Sequence, residues 1–358
     1  MACIAKRRGK YIIDFYDNHG IRRWKTLPKG VTKTKAKEAL RDIEDQLDRG
    51  TYLPDKKMST FKEVAGDWIE YKKPNIRSTT WEVYEGHTKN HFHDLDDLKI
   101  KRITTARIEK YITTRQEQGI NILTLRKILV MLNQIMKYAV RHKYIGHNPV
   151  RDAERPRGQS NLEDKKITIL DTSQIGGLLK KTTDKKYKTL FMLAIMSGAR
   201  QGELLGLKWS DLDWQNSQIH IQRTFNKGLW FTPKTKCSDR KVDLGPVMMK
   251  ALKEWRIACP PNELDLIFPN KAGLPMNYSN MVQRYYFTAL EVAEIPRIKF
   301  HSFRHITASL MIEQGENIKY IQSQLGHSNP TVTLKVYAHL MKPVNQEAAC
   351  RLDNAIFN

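Results

Sequence analysis

The sequence predicts an α+β protein of several domains: a small β-sheet-plus-helix domain, an all-helical domain, and a larger, mainly helical domain with a small antiparallel sheet. Three observations predict this order. Strand-type runs and one helical run fill residues 1–56, helical periodicity alone fills residues 59–150, and strands and helices mix over residues 167–358. The length of 358 residues accommodates about two or three domains.

The chain is strongly basic. Lys and Arg total 61 against 38 Asp and Glu, which gives a formal net charge of +23. Such a surplus predicts a polyanionic partner, of which nucleic acid is the commonest. The basic residues are spread along the whole length rather than gathered in a tail, which favours a folded surface that follows the phosphates of DNA.

The cysteines and the apolar runs bear on the compartment. Cys3, Cys237, Cys259 and Cys350 show neither disulfide nor metal-ligand spacing, which favours a reducing cytoplasm. The basic N-terminus lacks the apolar stretch of a signal peptide, and the longest wholly apolar run, residues 190–196, is far shorter than the ~20 residues of a membrane span. We expect an intracellular protein without a membrane segment, metal or other cofactor.

Residues 1–56 predict a small domain of strands and one helix. Strand-type residues fill 11–16 and 21–27, and the turn residues Asp-Asn-His-Gly at 17–20 join them. Apolar residues then recur at helical spacing as far as Gly50, a typical helix stop. The result is a short antiparallel sheet backed by one helix.

The predicted sheet is both basic and aromatic. Arg22, Arg23 and Lys25 are candidate DNA-binding residues, because a charged sheet face can lie in a DNA groove. The aromatic residues among them are Tyr11, Phe15, Tyr16 and Trp24. We expect about half of these aromatic side chains to form the core of the small domain instead.

Residues 59–150 predict an all-helical domain. A Thr-x-x-Glu capping box at residues 60–63 opens the first helix, and an apolar stripe follows it. A second stripe predicts a helix over residues 123–142, which Asn-Pro at 148–149 is expected to end. Residues 151–166 lack apolar periodicity and predict a charged linker, a tether that lets two basic domains close around a duplex. In the domain that follows, strands are expected at 218–224, 229–232 and 241–244.

Arg200 is the first candidate for chemistry. Attack on a phosphodiester builds negative charge on two non-bridging oxygens, which a site without a metal must meet with fixed cations. Arginine suits this task because its planar fork holds two oxygens and does not deprotonate. Arg200 follows an apolar helix that is expected to stop at Gly198, and Glu203 can orient its side chain. The alternative is a surface salt bridge between Arg200 and Glu203.

His301, Arg304 and His305 are spaced for one face of a helix that is predicted to begin near Ser302. Free backbone N–H groups in the first turn of a helix already favour an anion. His301 and Arg304 are therefore candidate phosphate contacts, whereas His305 is expected to be a half-buried structural histidine.

His327 follows Gly326 on a predicted loop between two helices, where it can donate a hydrogen bond to a phosphate oxygen or merely cap a helix. Tyr337 lies beside the apolar stripe of the next predicted helix. A phenol with a pKa near 10 needs a base or positive surroundings to attack at neutral pH, and an ordinary packing tyrosine is the alternative.

Lys234 follows Pro233 at the predicted tip between two strands. A lysine there can reach into a groove and protonate a departing 5′ oxygen as a general acid. Lys227 and Lys236 are competitors for this role, and a solvated side chain is the alternative for each of the three.

Taken in the order of the chain, the motifs around these residues resemble those of the tyrosine recombinases, the phage-type integrases in particular. The resemblance covers residues 167–342. Its motifs are Ala-Arg-Gln-Gly-Glu at 199–203, Pro-Lys-Thr at 233–235, His-x-x-Arg-His at 301–305, Leu-Gly-His at 325–327, and Tyr337. It implies Tyr337 as the nucleophile, Arg200 and Arg304 as phosphate clamps, Lys234 as general acid, His301 as acid and base, and His327 as hydrogen-bond donor to phosphate.

The resemblance extends to the architecture and the partners. Residues 59–150 look like the family's core-site-binding domain, residues 1–56 look like its arm-site-binding domain, and the catalytic domain spans 167–358. This implies a DNA breaking-rejoining fold in a bacterial cytoplasm, associated with the nucleoid. Implied partners are duplex DNA at core and arm sites, a homotetramer of the chain, and DNA-bending accessory proteins.

The resemblance implies a site-specific recombinase that integrates, and also excises, a phage or mobile element through a 3′-phosphotyrosine. The C-terminal segment, residues 341–358, carries apolar residues spaced for one helix face, which can dock on a neighbouring copy or close on its own domain. Two alternatives to the recombinase remain: a type IB-like DNA topoisomerase using the same residues, and a DNA-binding regulator without catalysis.

Overall fold

The structure is a computed structural model that describes residues 2–17, 20–50, 52, 59–156, 169–233, 235–329 and 346–357. The chain divides into two compact units, residues 1–162 and residues 163–358. Both units combine helices with small antiparallel sheets, which confirms the predicted α+β, multidomain fold.

The N-terminal part of the first unit is a three-stranded antiparallel sheet backed by one helix. Its elements are β1 (Cys3–Arg7), β2 (Lys10–Tyr16), β3 (Arg22–Thr26) and α1 (Lys33–Asp48). The sheet order is β1-β2-β3. Strand β1 was not expected, because the sequence patterns predicted only the second and third strands. Its side chains are mostly exposed, so it carries little of the apolar alternation that marks a strand.

The core of this small domain lies between the sheet and α1. Ile13 and Phe15 of β2 are buried against Ala36 and Ile43 of α1. Tyr16 and Trp24 are exposed at the sheet surface. Two of the four interleaved aromatics are therefore on the surface, which agrees with the expected division between surface and core.

The rest of the first unit is helical. Its helices are α2 (Phe61–Lys72), α3 (Ser78–His91), α4 (His93–Asp96), α5 (Thr105–Glu117), α6 (Ile122–Arg141) and α7 (Pro149–Asp152). The predicted capping box is present: Glu63 accepts from the Thr60 backbone at 2.7 Å, and Thr60 accepts from the Glu63 backbone at 3.3 Å. Trp68 and the inner face of α6 are buried in one apolar core.

Asn148 and Pro149 begin a helix rather than end one. Helix α6 already stops at Arg141, and the Asn148 side chain caps the first turn of α7 by accepting from the Val150 backbone at 3.0 Å. Ala153 is buried in the helical core, and Arg126 donates to the Pro156 carbonyl at 3.4 Å. The first residues of the predicted linker thus pack on the helices; residues 157–166 of it lie outside the described residues.

The second unit is mainly helical and carries two small sheets. Its helices are α8 (Thr172–Lys181), α9 (Lys185–Ser197), α10 (Gln201–Leu205), α11 (Pro246–Ala258), α12 (Tyr278–Met281), α13 (Phe287–Val292), α14 (Ser302–Glu313), α15 (Ile318–Leu325) and α16 (Gln346–Phe357). The strands are β4 (Leu212–Asp213), β5 (Gln218–Ile221), β6 (Thr224–Asn226), β7 (Leu229–Phe231) and β8 (Arg240–Asp243).

The strands pair as a sheet β4-β5-β8 and a separate hairpin β6-β7. Helix α9 crosses the core of the unit and is buried over most of its length. The hairpin is seated directly on α10: a Cβ atom added at Gly202 would lie 2.8 Å from the Phe225 carbonyl oxygen, and one added at Gly206 would lie 3.2 Å from the Trp230 ring. Among the described residues, no helix has the length and apolar character that crossing a membrane requires.

Candidate active site

Arg200 stands between two helices. Helix α9 ends at Gly198, whose φ of 56° lies in the left-handed region, and Arg200 is the residue that precedes α10. A Cβ atom added at Gly198 would lie 2.5 Å from the end of the Leu325 side chain and 3.3 Å from Thr307, so the turn packs directly against α14 and α15. Arg200 is therefore mounted on a short turn that is rigidly packed, as its sequence context predicts.

Glu203 binds Arg200 and a second arginine at once. The Arg200 guanidinium donates to Glu203 Oε1 at 2.9 Å, and the Arg200 backbone N–H donates to Oε2 at 2.8 Å. Arg240 donates to Oε2 at 3.0 Å from the buried side. Burial raises the pKa of Glu203, but the attraction of Arg240 and then of Arg200 outweighs it and lowers the pKa below its ordinary value. Glu203 is ionised at neutral pH.

Arg304 is buried in the first turn of α14. Its Nη1 donates to the Gly198 carbonyl at 2.8 Å. Thr307, one turn later, donates to the Ile195 carbonyl at 2.6 Å, so α14 is fastened to the C-terminal end of α9. These bonds bring Arg304 to the turn that carries Arg200.

His327 follows a second tight turn that reaches the same place. Helix α15 ends at Gly326 with a φ of 66°, and Arg200 Nη2 donates to the Gly326 carbonyl at 3.3 Å. The Gln322 side chain donates to the His327 carbonyl at 2.8 Å. The predicted helix stop at Gly326 is present. The helix that was predicted to follow the loop of His327 lies outside the described residues.

The cations around the two histidines favour their neutral forms. Partial burial, followed by the positive charges of His305, Arg304 and Arg200, lowers the pKa of His301 to about 4. Burial and then Arg304 and Arg200 lower the pKa of His327 to about 4 as well. Both rings are therefore neutral at pH 7, where each can accept one proton or donate one N–H bond.

The structure brings together four of the six predicted site residues: Arg200, His301, Arg304 and His327. Lys234 and Tyr337 lie outside the described residues. The strands on either side of Lys234 belong to different sheets, since β7 pairs with β6 and β8 pairs with β5. The β6-β7 hairpin turns at Lys227 and Gly228, both with positive φ, and the position of Lys234 at a tip between two strands stays a prediction.

Arg240 was missed by the sequence interpretation, although a signal for it exists. In β8, Arg240 and Val242 are buried while Lys241 and Asp243 are exposed. Arg240 lies opposite Ile221 in the sheet, so an arginine occupies a place on an otherwise apolar face. A basic residue in phase with the apolar residues of a strand indicates a buried ion pair.

The three candidate DNA-binding residues of β3 do not share one face. Arg22 pairs with Tyr16, and Arg23 pairs with the buried Phe15. Because neighbouring residues of a strand point to opposite faces, Arg22 lies on the outer face, whereas Arg23 and Lys25 lie on the face of α1. Both arginines form ion pairs, Arg22 with Asp14 at 2.6 Å and Arg23 with Asp17 at 2.9 Å.

Comparisons with known proteins identify the family. The sequence model described as the phage integrase family matches residues 163–343, just over half of the chain. The chain belongs to the phage integrase family. A model of the N-terminal SAM-like domain of phage integrases matches residues 60–114, within the helical domain.

Relatives of this integrase-family chain agree with that assignment. A tyrosine recombinase XerC-like protein of Caldanaerobacter subterraneus subsp. tengcongensis is 27% identical, over 92% of this chain and 91% of that protein. The chain also shares its fold with two solved integrases. One is the Tn1549 transposon integrase in complex with a circular intermediate DNA, with a TM-score of 0.68 and 20% identity over 84% of this chain and 100% of that one.

The other is the lambda integrase in a tetramer bound to a Holliday junction, with a TM-score of 0.61 and 18% identity over 95% of this chain and 94% of that one. The resemblance to tyrosine recombinases is thus confirmed, as is the DNA breaking-rejoining fold. The chain is a tyrosine recombinase, an enzyme that cleaves and rejoins DNA strands.

Proposed function

We propose that the chain recombines duplex DNA at specific sites through a covalent 3′-phosphotyrosine on Tyr337, integrating and excising a phage or other mobile element. The observation that carries the proposal is the meeting of Arg200, Arg304 and His327 at the two turns of Gly198 and Gly326. Two guanidinium groups and a neutral imidazole held by packed turns form a fixed site for the charge of a phosphodiester.

In the proposed first step, the phenolic oxygen of Tyr337 attacks the phosphorus, and the bond to the 5′ oxygen breaks. Arg200 and Arg304 neutralise the charge that develops on the non-bridging oxygens, and His327 donates a hydrogen bond to one of them. The phenol loses its proton to His301, which is neutral at pH 7 because its pKa is lowered to about 4. Lys234 gives a proton to the departing 5′ oxygen.

In the second step, a 5′ hydroxyl of the partner strand attacks the phosphotyrosine bond. One phosphoester bond forms for each that breaks, so the bond energy is retained in the protein-linked ester. The reaction needs no nucleotide hydrolysis to drive strand joining. The attacking 5′ hydroxyl gives its proton to Lys234, which the first step left neutral, and the leaving tyrosine takes its proton back from His301.

The partners follow from the domains. We propose that residues 59–150 hold duplex DNA at the core sites, that residues 1–56 hold arm sites, and that residues 151–166 connect them to the catalytic domain at 167–358. Arg22 on the outer sheet face is the better supported arm contact, since Arg23 and Lys25 face α1. Helix α16 leaves Leu352, Ile356 and Phe357 exposed.

Such an apolar end suits docking on a neighbouring copy. A tetramer of the chain is proposed on this ground and on the likeness to the lambda integrase tetramer bound to a Holliday junction. DNA-bending accessory proteins and a place on the bacterial nucleoid complete the proposal. Deleting residues 343–358 should prevent assembly and recombination; normal assembly without them would remove the docking role.

The test is covalent capture of DNA. The chain and a Tyr337→Phe variant are expressed in a host that carries the native element, the lysate is denatured, and DNA that stays attached to the protein is sequenced. We expect DNA from a few discrete sites with the wild-type chain and none with the variant, while native DNA binding is equal for both. Attachment spread evenly over the genome would indicate a topoisomerase. Binding without any covalent DNA in either sample would indicate a regulator.

A further inference from the structure

Arg240 is a buried cation beside the proposed site, and its side chain is only 5% exposed. It makes four donor contacts in two directions. One pair of contacts reaches Glu203, at 3.0 Å to Oε2 and 3.4 Å to Oε1. The others reach the Gln324 carbonyl at 2.7 Å and the Ser238 carbonyl at 3.3 Å. Arg240 thus touches the residue that orients Arg200 and the helix end that precedes His327.

The Glu203 carboxylate lies between two guanidinium groups of unequal exposure. The Arg200 side chain, which donates to Glu203 at 2.9 Å, is 38% exposed, whereas Glu203 and Arg240 are almost wholly buried. A carboxylate paired with Arg200 alone would cancel the charge of Arg200. With Arg240 on the buried side, the three side chains carry a net positive charge, and its accessible part is Arg200.

We propose that Arg240 is a positioning residue for strand cleavage: it neutralises Glu203 from within the protein, so that Arg200 keeps its orientation and its positive charge for the scissile phosphate. The inference rests on the proposed function, because it concerns the step in which Arg200 meets the phosphate. The role is indirect, since the Arg240 side chain is only 5% exposed.

A second contact of Arg240 supports the same role. A Cβ atom added at Gly326 would lie 2.9 Å from both Cδ and Nη1 of Arg240, so the guanidinium is packed directly against the turn before His327. Arg200 donates to the carbonyl of that same glycine. One buried side chain therefore sets the position of two elements that carry predicted site residues.

The experiment measures single-turnover cleavage on duplex DNA carrying a site recovered by covalent capture, with a nick that traps the protein-linked product. The variants are Arg240→Met, Arg240→Lys, Glu203→Gln and the double variant Arg240→Met with Glu203→Gln. We expect Arg240→Met to slow cleavage about ten-fold or more, with DNA affinity within about two-fold of wild type. Arg240→Lys should recover most of the rate, because it restores the buried charge.

The double variant separates a positioning role from a purely structural one. If Arg240 acts through the charge of Glu203, removing that charge makes Arg240 dispensable, so the double variant should cleave within about three-fold of Glu203→Gln alone. If Arg240 only supports the fold through Gln324, the two losses should multiply. If Arg240→Met fails to fold, the comparison of the double variant with Glu203→Gln still tests the inference. The double variant removes both buried charges and so leaves neither unpaired.

Tyr320→Phe is the matched control. The Tyr320 hydroxyl donates to Asp243 at 3.0 Å and so joins the same strand β8 to the same helix α15 without touching Glu203. It should lower the melting temperature slightly and leave cleavage unchanged. If the wild-type chain cleaves and Arg240→Met cleaves equally fast, the inference is overturned and the proposed function is not. The same holds if the rate losses of Arg240→Met and Glu203→Gln multiply in the double variant. Absence of covalent product from the wild-type chain overturns the proposed function instead.

Discussion

Arg304 donates a hydrogen bond of 2.8 Å to the carbonyl oxygen of Gly198, two residues before Arg200. The bond joins the first turn of α14 to the end of α9, although the two residues are more than a hundred positions apart in the chain. Because the Arg304 side chain is buried, this bond holds its guanidinium against the turn that carries Arg200. The distance between the two arginines is thereby fixed before DNA arrives.

Arg304→Ala should lower the cleavage rate by about 10²–10³, the cost of losing a fixed donor to a developing charge, with a modest loss of DNA affinity. Arg304→Lys should recover only part of the rate, because lysine lacks the second arm of the fork. Trapped covalent complex on a nicked duplex measures the rate, and a filter or gel assay measures affinity. Undiminished cleavage by Arg304→Ala would remove the residue from the phosphate site.

Gly326→Ala should damage the site more than it damages the fold. A left-handed backbone costs a non-glycine residue roughly 1–2 kcal/mol. In addition, the new Cβ would lie 2.7 Å from the Cys237 carbonyl oxygen, which cannot move as a flexible side chain does. We expect a lowered melting temperature and a larger proportional loss of cleavage, because His327 is displaced. Gly228→Ala is the control, since that glycine also has positive φ but nothing lies near it.

Acid should weaken folding through the two histidines. Both have a pKa of about 4 in the folded protein and an ordinary pKa of 6.5. Between pH 4 and 6.5 the two histidines are protonated in the unfolded chain but neutral in the folded chain. The free energy of unfolding therefore falls as pH drops from 6.5 towards 4. A variant with His301→Asn and His327→Asn should lose less over that window in a melting series. Part of the slope should remain, since burial also lowers the pKa of His305.

Lys234→Ala should slow cleavage about 10²–10⁴-fold, the usual contribution of a general acid. A substrate whose departing 5′ oxygen is replaced by sulfur needs no such proton, because a thiolate leaves readily. Cleavage of that substrate should therefore be nearly normal in Lys234→Ala. Lys227→Ala and Lys236→Ala serve as comparisons. If Lys227→Ala or Lys236→Ala, and not Lys234→Ala, is slow on the ordinary substrate but nearly normal on the sulfur substrate, the lysine replaced in that variant is the general acid.

Arg22→Ala and Arg23→Ala should differ in DNA binding although they are neighbours. Both arginines pair with an aspartate, but Arg22 lies on the outer sheet face with its side chain 55% exposed, whereas Arg23 lies on the other face and is 29% exposed. On arm-site DNA, Arg22→Ala should reduce the salt slope by about 0.9, the value expected when one phosphate is no longer neutralised. Arg23→Ala should leave the slope unchanged. An unchanged slope for both variants would remove this sheet face from the interface.

The sequence predicted those parts of the site that depend only on residues close to one another in the chain. The helix stops at Gly198 and Gly326 and the start of α14 at Ser302 follow from residues within a turn of each other. Strand β1 was missed because its side chains are mostly exposed, so that strand formation depends on pairing with β2 rather than on its own pattern.

Long-range partners were beyond the sequence patterns. Arg240 meets Glu203 across 37 positions and Gln324 across 84, and no periodicity connects such residues. The face on which each residue of β3 lies likewise depends on its register with β2, which the run of basic residues does not specify. The roles of Lys234 and Tyr337 stay predictions, since both residues lie outside the described part of the chain.

The seat of the β6-β7 hairpin has a consequence for how this chain can diverge. The hairpin rests against Gly202 and Gly206 so closely that any side chain at Gly202 would collide with backbone. Leu229, at the start of β7, is exposed instead. Substitution at such an exposed position is therefore compatible with the seat of the hairpin, whereas a side chain at Gly202 is not. The outer side of the hairpin can thus vary while the turn that carries Arg200, two residues before Gly202, keeps its packing.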